Sequence, residues 1–91
     1  MRASRPRVYV VLLEAGAERD LRRLDPPTFR RVVASIRTLA ENPRPAGCRK
    51  LSGGERDWRV RVGDYRVVYE IDDPAREVRV IRVRHRRDVY R

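Results

Sequence analysis

The most constraining feature of this sequence is a stretch of strict alternation, DWRVRVGDYRVVYEI, from Asp57 to Ile71. Successive side chains of a β-strand point to opposite faces, so the pattern predicts two strands with one apolar and one polar face. Gly63-Asp64 interrupts the alternation and is typical of a two-residue hairpin turn, in which glycine supplies the positive φ angle. A turn at this point places Arg61 directly opposite Arg66.

The pairing of Arg61 with Arg66 calls for a reason, because like charges opposite each other in a strand pair are destabilising. Fixed cations on an open sheet face could bind a phosphate backbone and stabilise the extra negative charge of a phosphorane-like transition state. A solvated basic face could equally serve to keep the sheet soluble. The residues alone leave both interpretations open.

A strand and two helices are predicted before the hairpin. RVYVVLL (7–13) is rich in β-branched residues and reads as a strand whose two apolar faces should both be covered. EAGAERDLRRL (14–24) has apolar residues at helical spacing, namely Ala17, Leu21 and Leu24. The second helix should begin with Asp25 as N-cap and Pro26 at the first helical position. Its apolar stripe consists of Phe29, Val32, Val33, Ile36, Leu39 and Ala40.

The last predicted strand, EVRVIRVR (77–84), follows a turn at 72–76 and has apolar residues at both odd and even positions. We expect Ile81 and Val83 to face the helices. This choice sends three arginines to the open face of the hairpin, namely Arg82, Arg84 and Arg86. The opposite parity would put arginines under the helices, and burying unpaired guanidinium groups is more costly than exposing a valine.

The element order strand, helix, helix, strand, strand, strand predicts an α+β fold. Its two layers would be a mostly antiparallel sheet and two helices packed on one face of it. We expect one domain, 1–91, with residues 1–6 as a flexible tail and 43–54 as a Pro/Gly-rich loop. The helix-covered face should carry Trp58, Val60, Val62, Tyr65, Val67, Tyr69 and Ile71. The open face should carry Arg59, Arg61, Arg66, Val68 and Glu70.

The charge balance points to a polyanionic partner. Lysine and arginine total 23 against 13 acidic residues, a net charge of +10, which favours nucleic acid first and an acidic protein second. Cys48 and His85 are the only residues of their types, so we expect no disulfide, no zinc site and no cofactor. The apolar run 8–13 is too short to span a membrane, and a cytoplasmic protein is expected.

Three segments carry a resemblance to the RelE/ParE superfamily of bacterial toxin–antitoxin toxins: KLSG (50–53), WRVRVGDYRVVYEI (58–71) and VIRVRHRRDVYR (80–91). The terminal HRRDVYR resembles the RelE branch, whose members cleave messenger RNA in the ribosomal decoding site. The resemblance implies a β-α-α-β-β-β toxin domain over nearly the whole chain.

The resemblance also implies roles for individual residues. Arg61 would belong to the catalytic group, Arg66 would hold the scissile phosphate, Arg86 would assist the leaving oxygen, and Tyr90 would orient a nucleotide or act as a base. Further RNA contacts are expected from Arg59, Arg82, Arg84 and Arg87. Lys50 and Leu51 match a loop motif interpreted as structural.

His85 has two readings. It is the only side chain of a type that titrates near neutrality, so it could be the general acid or base in the attack of a ribose 2′-hydroxyl. It could instead be a histidine at a strand end that bonds to backbone.

The function expected from these features is that of a metal-independent, ribosome-dependent messenger RNA endonuclease. The toxin would be monomeric alone and would form a hetero-oligomer with an acidic, RelB-like antitoxin. Its substrate would be messenger RNA in the ribosomal A site. The alternatives are a ParE-like inhibitor of DNA gyrase, which acts on a protein target, and a nucleic-acid-binding module without chemistry.

Overall fold

A computed structural model describes residues 8–50 and 57–89 of the chain. The strands in these ranges are β1 (Val10–Leu13), β2 (Arg49–Lys50), β3 (Asp57–Val62), β4 (Tyr65–Asp72) and β5 (Glu77–His85). The helices are α1 (Ala15–Arg22), α2 (Pro26–Thr38) and α3 (Arg86–Val89). The predicted flexible tail, Leu51 and Tyr90 lie outside the described residues.

The strands form one sheet in the order β1-β5-β4-β3-β2, in which only the β1–β5 pair is parallel. Helices α1 and α2 contribute the buried side chains of Ala17, Leu21, Val32 and Ile36 to the core, and the C-cap residue of α2, Leu39, adds another. The sheet contributes Val60, Val67, Tyr69, Ile71, Val78, Val80 and Val83. The predicted two-layer α+β fold is therefore confirmed. Two elements were not predicted, the two-residue strand β2 inside the loop and the short helix α3.

The hairpin has the predicted register, with Val62 opposite Tyr65 and Arg61 opposite Arg66. Gly63 has a φ angle of +59°, in the left-handed region that favours glycine. A Cβ atom at this position would also lie 2.6 Å from Nη2 of Arg31. The Arg31 guanidinium is the end of a flexible side chain and could move away, so it is the turn conformation that favours glycine here.

Helix α2 begins as predicted. The Asp25 side chain accepts a hydrogen bond from the Thr28 N–H at 3.3 Å, and Pro26 occupies the first helical position. The buried stripe is narrower than predicted, because Phe29, in the first turn, remains 41% exposed. The core contacts of α2 are therefore concentrated in its later turns, at Val32 and Ile36.

Strand β5 contains a β-bulge that resolves its mixed pattern. Val68 pairs with Arg82 and Tyr69 pairs with Val80, so Ile81 is the extra residue between them. An extra residue reverses the side to which the following side chains point. Val80 and Val83 are consequently both buried, although they differ in parity. The expectation of one parity along the whole strand, with Ile81 in the core, was wrong.

Helix α1 packs beside the bulge and completes the edge of β5 where β1 has ended. The carboxylate of Asp20 accepts hydrogen bonds from the Val83 N–H and from Nε of Arg82, both at 2.8 Å. Burial raises the pKa of this carboxyl, but the bonds from Arg82 and Val83 outweigh it, and the net pKa is lowered. A Cβ atom on Gly16 would come within 2.9 Å of Cδ of Arg82, so this glycine permits the close packing.

Strand β1 is less covered than its sequence predicted. Val10 is 58% exposed, and Leu12 and Leu13 are 38% and 39% exposed. The expectation that both faces of this strand are covered was wrong, because β1 is an outer strand and, within the described residues, α1 and α2 pack on only one face of the sheet. Among the described residues, no helix is long and apolar enough to cross a membrane.

Contacts at Pro43 and Arg44 fix part of the loop between α2 and β2. The buried hydroxyl of Tyr69 donates to the Pro43 carbonyl at 2.7 Å. The next residue, Arg44, forms an ion pair with Asp73 at 2.9 Å and lies over the Trp58 ring at 5.1 Å. These contacts hold the segment that leads into β2 against the sheet.

Candidate nucleic-acid interface

The centre of the candidate site is the pair of arginines predicted to face each other across the hairpin. The register of β3 and β4 confirms that Arg61 and Arg66 lie on the same face of the sheet, the one without helices. Nε of Arg61 donates to the carbonyl of Gly63 at 3.3 Å, which ties its side chain to the turn. Two arginines therefore occupy directly opposite positions on one face of the hairpin.

Neighbouring strands extend this pair into a larger cationic surface. Arg84 on β5 lies opposite Arg66. Arg59 lies on the same side of β3 as Arg61, and Arg49 on β2 lies opposite Arg59. We call this set the arginine face; it consists of Arg49, Arg59, Arg61, Arg66 and Arg84.

Arg49 was missed at the level of sequence. It lies in a Pro/Gly-rich loop with no alternating pattern long enough to indicate a strand. Only the pairing of β2 with β3 brings it to the sheet. The one available signal was its position beside Lys50 in the loop motif.

A groove lies along the arginine face. Its volume is about 460 Å³, and its walls are Ala46, Gly47, Arg49, Arg59, Val60, Arg61 and Arg66. This volume falls in the range of sites that hold small organic ligands. A groove with four guanidinium groups is suited to an anion that offers several oxygens, such as a phosphodiester.

Most arginines of the arginine face differ from several other arginines of the described residues, because they do not form an ion pair with a carboxylate. Within residues 8–50 and 57–89, Arg49, Arg59, Arg61 and Arg84 form no ion pair. Elsewhere, carboxylates pair with Arg44, Arg79, Arg82 and Arg86. Within the described residues, four of the five arginines of this face thus have no carboxylate partner and leave positive charge on one face of the sheet.

Two arginines with expected roles, Arg82 in RNA binding and Arg86 in catalysis, have other contacts. Arg82 pairs with Asp20 at 2.8 Å, so its guanidinium is engaged with α1 at the edge of the arginine face. Arg86 begins α3, and its guanidinium lies 3.9 Å from the Asp64 carboxylate, with both side chains exposed. Arg87 is also exposed on α3.

His85 lies on the other side of the sheet from the arginine face. It is opposite Tyr65, whose side faces the helices, and the two rings pack edge to face with centroids 5.1 Å apart. Its Nδ1 accepts a hydrogen bond from the Arg87 N–H at 3.2 Å. This placement fits the reading of a strand-end histidine bonded to backbone better than that of an acid or base beside Arg61.

A second surface, on the helix side, is apolar. A groove of about 330 Å³ opens between β1, α1 and α2 at the edge of the sheet. We call it the apolar groove; it is lined by Val11, Leu13, Leu21, Val33, Ile36 and Ala40, with Arg37 at its rim. Leu13 is 39% exposed, so the groove leaves apolar surface in contact with water.

Among the described residues, no three His, Cys, Asp or Glu side chains are grouped so that they could hold a metal ion.

Comparisons with known proteins give consistent matches. Residues 11–90 match the family model described as the ParE toxin of the type II toxin–antitoxin system, parDE. The chain is 37% identical over 87 residues to Toxin RelG of Mycobacterium tuberculosis, which covers 91% of this chain and 97% of that protein.

Two solved structures have the same fold. The archaeal RelE–RelB complex from Pyrococcus horikoshii matches with a TM-score of 0.78 and 25% identity, over 87% of this chain and 96% of that one. A RelBE toxin–antitoxin complex from Mycobacterium tuberculosis matches with a TM-score of 0.76 and 33% identity, over 87% and 92%.

Proposed function

The chain belongs to the ParE/RelE family of toxins from type II toxin–antitoxin systems, and from this premise we propose that it is an endoribonuclease that cleaves messenger RNA on the ribosome. The observation that supports the proposal is the arginine face. Arg61, Arg66 and Arg84 stand side by side across three strands, where they could grip one phosphate group and its neighbours.

The proposed reaction is attack of a ribose 2′-oxygen on the adjacent phosphorus. A new P–O2′ bond forms and the P–O5′ bond breaks, which gives a 2′,3′-cyclic phosphate and a 5′-hydroxyl. Arg61 and Arg66 would bind the non-bridging oxygens, whose negative charge grows in the transition state. Arg86 would stabilise the departing 5′-oxygen, which takes a proton from solvent to give the 5′-hydroxyl.

The proton of the 2′-hydroxyl requires an acceptor other than arginine, because a guanidinium remains protonated and offers no lone pair. Tyr90 is the proposed candidate in this chain, and it lies outside the described residues. Alignment of the attacking oxygen with the leaving oxygen would come from the ribosome, since a positioned substrate gains much of the rate without a strong acid–base pair. Ribosome dependence also implies that the protein acts in the cytoplasm.

We further propose that a cognate, acidic RelB-like antitoxin is its partner, as in the RelE–RelB complexes of its relatives. The toxin would be a monomer by itself and a hetero-oligomer with the antitoxin. The apolar groove offers a place for an apolar segment of that partner, because Leu13 and Val33 would lose contact with water there. An acidic segment would then cover the arginine face or displace the C-terminal segment that carries Arg86.

A second candidate function is favoured by the ParE name of the matching family model, namely inhibition of DNA gyrase. The purified chain should be added to a translating extract and the ends of the message mapped, with a gyrase cleavage assay in parallel. Codon-phased cuts are expected from the proposal. Trapped gyrase–DNA breaks without such cuts would support the second candidate. If neither message cuts nor gyrase breaks are observed, the result would support a binding module without chemistry.

A further inference from the structure

We propose that His85 is the N-cap of α3 and a positioning residue for the C-terminal segment. The inference rests on the proposed function, because α3 begins with Arg86 and is followed by Tyr90, the two C-terminal residues assigned to the reaction. It gives the one histidine of the chain a role that differs from proton transfer.

The hydrogen bonds at the start of α3 support this role. The first N–H groups of a helix have no acceptor within the helix. In α3, the Arg86 N–H donates to the backbone carbonyl of Asp64 at 2.6 Å, and the Arg87 N–H donates to Nδ1 of His85 at 3.2 Å. An N-cap side chain accepts from the second or third helical residue, and Arg87 is the second. His85 thus occupies the position usually held by serine, threonine, aspartate or asparagine.

The imidazole ring is held in the orientation that a cap requires. The ring of Tyr65 lies directly across the strand pair and packs edge to face against it, at 81° between the planes. With Nδ1 as acceptor, the proton of the neutral ring is on Nε2. The nitrogen that a general base would use is therefore already occupied by backbone, on the side of the sheet away from Arg61 and Arg66.

The cap matters because α3 has only four residues. A helix of this length does not persist by itself, since one turn fixes many dihedral angles for few hydrogen bonds. The Arg86–Asp64 ion pair is long, at 3.9 Å, and both side chains are exposed, so it contributes little. Among the described contacts of α3, the two backbone N–H bonds are consequently the ones that best fix where Arg86 emerges.

Two substitutions separate a cap from a base. His85→Ala removes the acceptor, whereas His85→Asn keeps a short acceptor of a type preferred at N-caps but does not take up a proton near neutrality. Hydrogen exchange of the Arg87 amide reports the cap directly, with the Val83 amide in β5 as the control for the fold. Message cleavage in the translating extract reports the position of Arg86.

The cap predicts that His85→Ala lowers the protection of the Arg87 amide about fivefold and lowers cleavage by up to the same factor. His85→Asn should restore both to within about twofold, with the Val83 amide unchanged in both variants. A general base predicts instead that both variants lose about 10²-fold in cleavage. That result, or an Arg87 amide that is unaffected by His85→Ala, would overturn the inference. If the wild-type chain makes no message cuts, the proposed function fails while the amide exchange still tests the cap.

Discussion

The arginine face and the apolar groove lie on opposite faces of one sheet. The first carries positive charge and the second carries apolar surface, which a protein that acts without a partner would neutralise or bury. On the first, arginines oppose one another with no described carboxylate between them. On the second, Leu13 and the side chains around it leave an open apolar groove between β1 and the helices. Both arrangements reduce the stability or solubility of the free chain, and both become favourable when a partner binds.

The difference between the two surfaces indicates two different partners. Uncompensated guanidinium groups attract a polyanion and discriminate little by shape at long range. An apolar groove contributes nothing to attraction at a distance and gains its free energy on close contact. Substrate and antitoxin could therefore use opposite faces, in which case inhibition requires the antitoxin to reach around the sheet edge or to move α3.

The largest expected effect comes from the arginine face. Arg66→Ala should lower message cleavage by about 10²- to 10³-fold, because it removes a fixed cation from the place where negative charge develops. The free energy of unfolding should change by no more than about 1 kcal/mol, since the contacts of a partly exposed arginine contribute little net to stability. Message-end mapping and denaturant unfolding measure the two effects.

Arg19→Ala is the matched control, because Arg19 is exposed on α1, away from the arginine face. It carries the same change in net charge and should leave cleavage within about twofold of the wild type. Equal losses in Arg19→Ala and Arg66→Ala would mean that total charge, and not the arginine face, governs the activity.

The salt dependence of binding should be the next largest difference between the arginine face and the apolar groove. If Arg59, Arg61, Arg66 and Arg84 each contact a phosphate, affinity for a non-cleavable 2′-O-methyl oligoribonucleotide should fall about 50-fold between 50 and 200 mM salt. Antitoxin affinity should fall by a smaller factor, because the apolar groove supplies part of it. Fluorescence anisotropy at several salt concentrations gives both slopes. Equal slopes would argue against an apolar anchor for the antitoxin.

The groove can be tested with two adjacent leucines of β1. Leu13→Asn should weaken antitoxin binding about 30-fold, the value expected when a buried leucine contact is lost. Leu12→Asn is the control, since Leu12 has nearly the same exposure, 38% against 39%, but points to the other face of β1. Titration calorimetry with the cognate antitoxin measures the difference. A larger loss in Leu12→Asn would place the antitoxin on the open side of the sheet.

The smallest effect concerns the edge of the arginine face, where Asp20 forms an ion pair with Arg82. The pKa of Asp20 is lowered in the folded state, so its contribution to stability is present above the ordinary carboxyl pKa of about 3.9 and is lost as pH falls through the lower folded value. Asp20→Asn should therefore reduce the free energy of unfolding by about 2 kcal/mol at pH 7 and flatten its decline below pH 4.

Asp25→Asn provides the comparison, because asparagine caps a helix about as well as aspartate does. Its unfolding free energy at pH 7 should stay within about 0.5 kcal/mol of the wild type. If Asp20→Asn behaves in the same way, the contact with Arg82 and Val83 is not a structural anchor.

Sequence reasoning succeeded where local pattern and structure coincide. The two strands of the hairpin from Trp58 to Ile71 alternate on either side of Gly63-Asp64, and the register of Arg61 with Arg66 follows from this turn alone. The start of α2 was equally local, because Asp25 and Pro26 act within one turn.

It failed where contacts between distant segments decide the outcome. The bulge at Ile81 depends on how β5 packs against both β4 and α1. An analysis that assumes one unbroken alternation along the strand cannot predict an inserted residue. Arg49 joins the arginine face only because a two-residue strand pairs with β3. The bulge also explains why Val78 and Val80 are buried, although Ile81 and Val83 were expected in the core.

The most direct test of the account measures message cleavage and antitoxin affinity for Arg66→Ala and Leu13→Asn together. We expect Arg66→Ala to lose cleavage by at least 10²-fold while antitoxin affinity changes less than tenfold. Leu13→Asn should keep cleavage within about threefold and lose antitoxin affinity about 30-fold. If each variant lost cleavage and antitoxin binding in parallel, the two faces would not be separate functional surfaces, and the central claim would be contradicted.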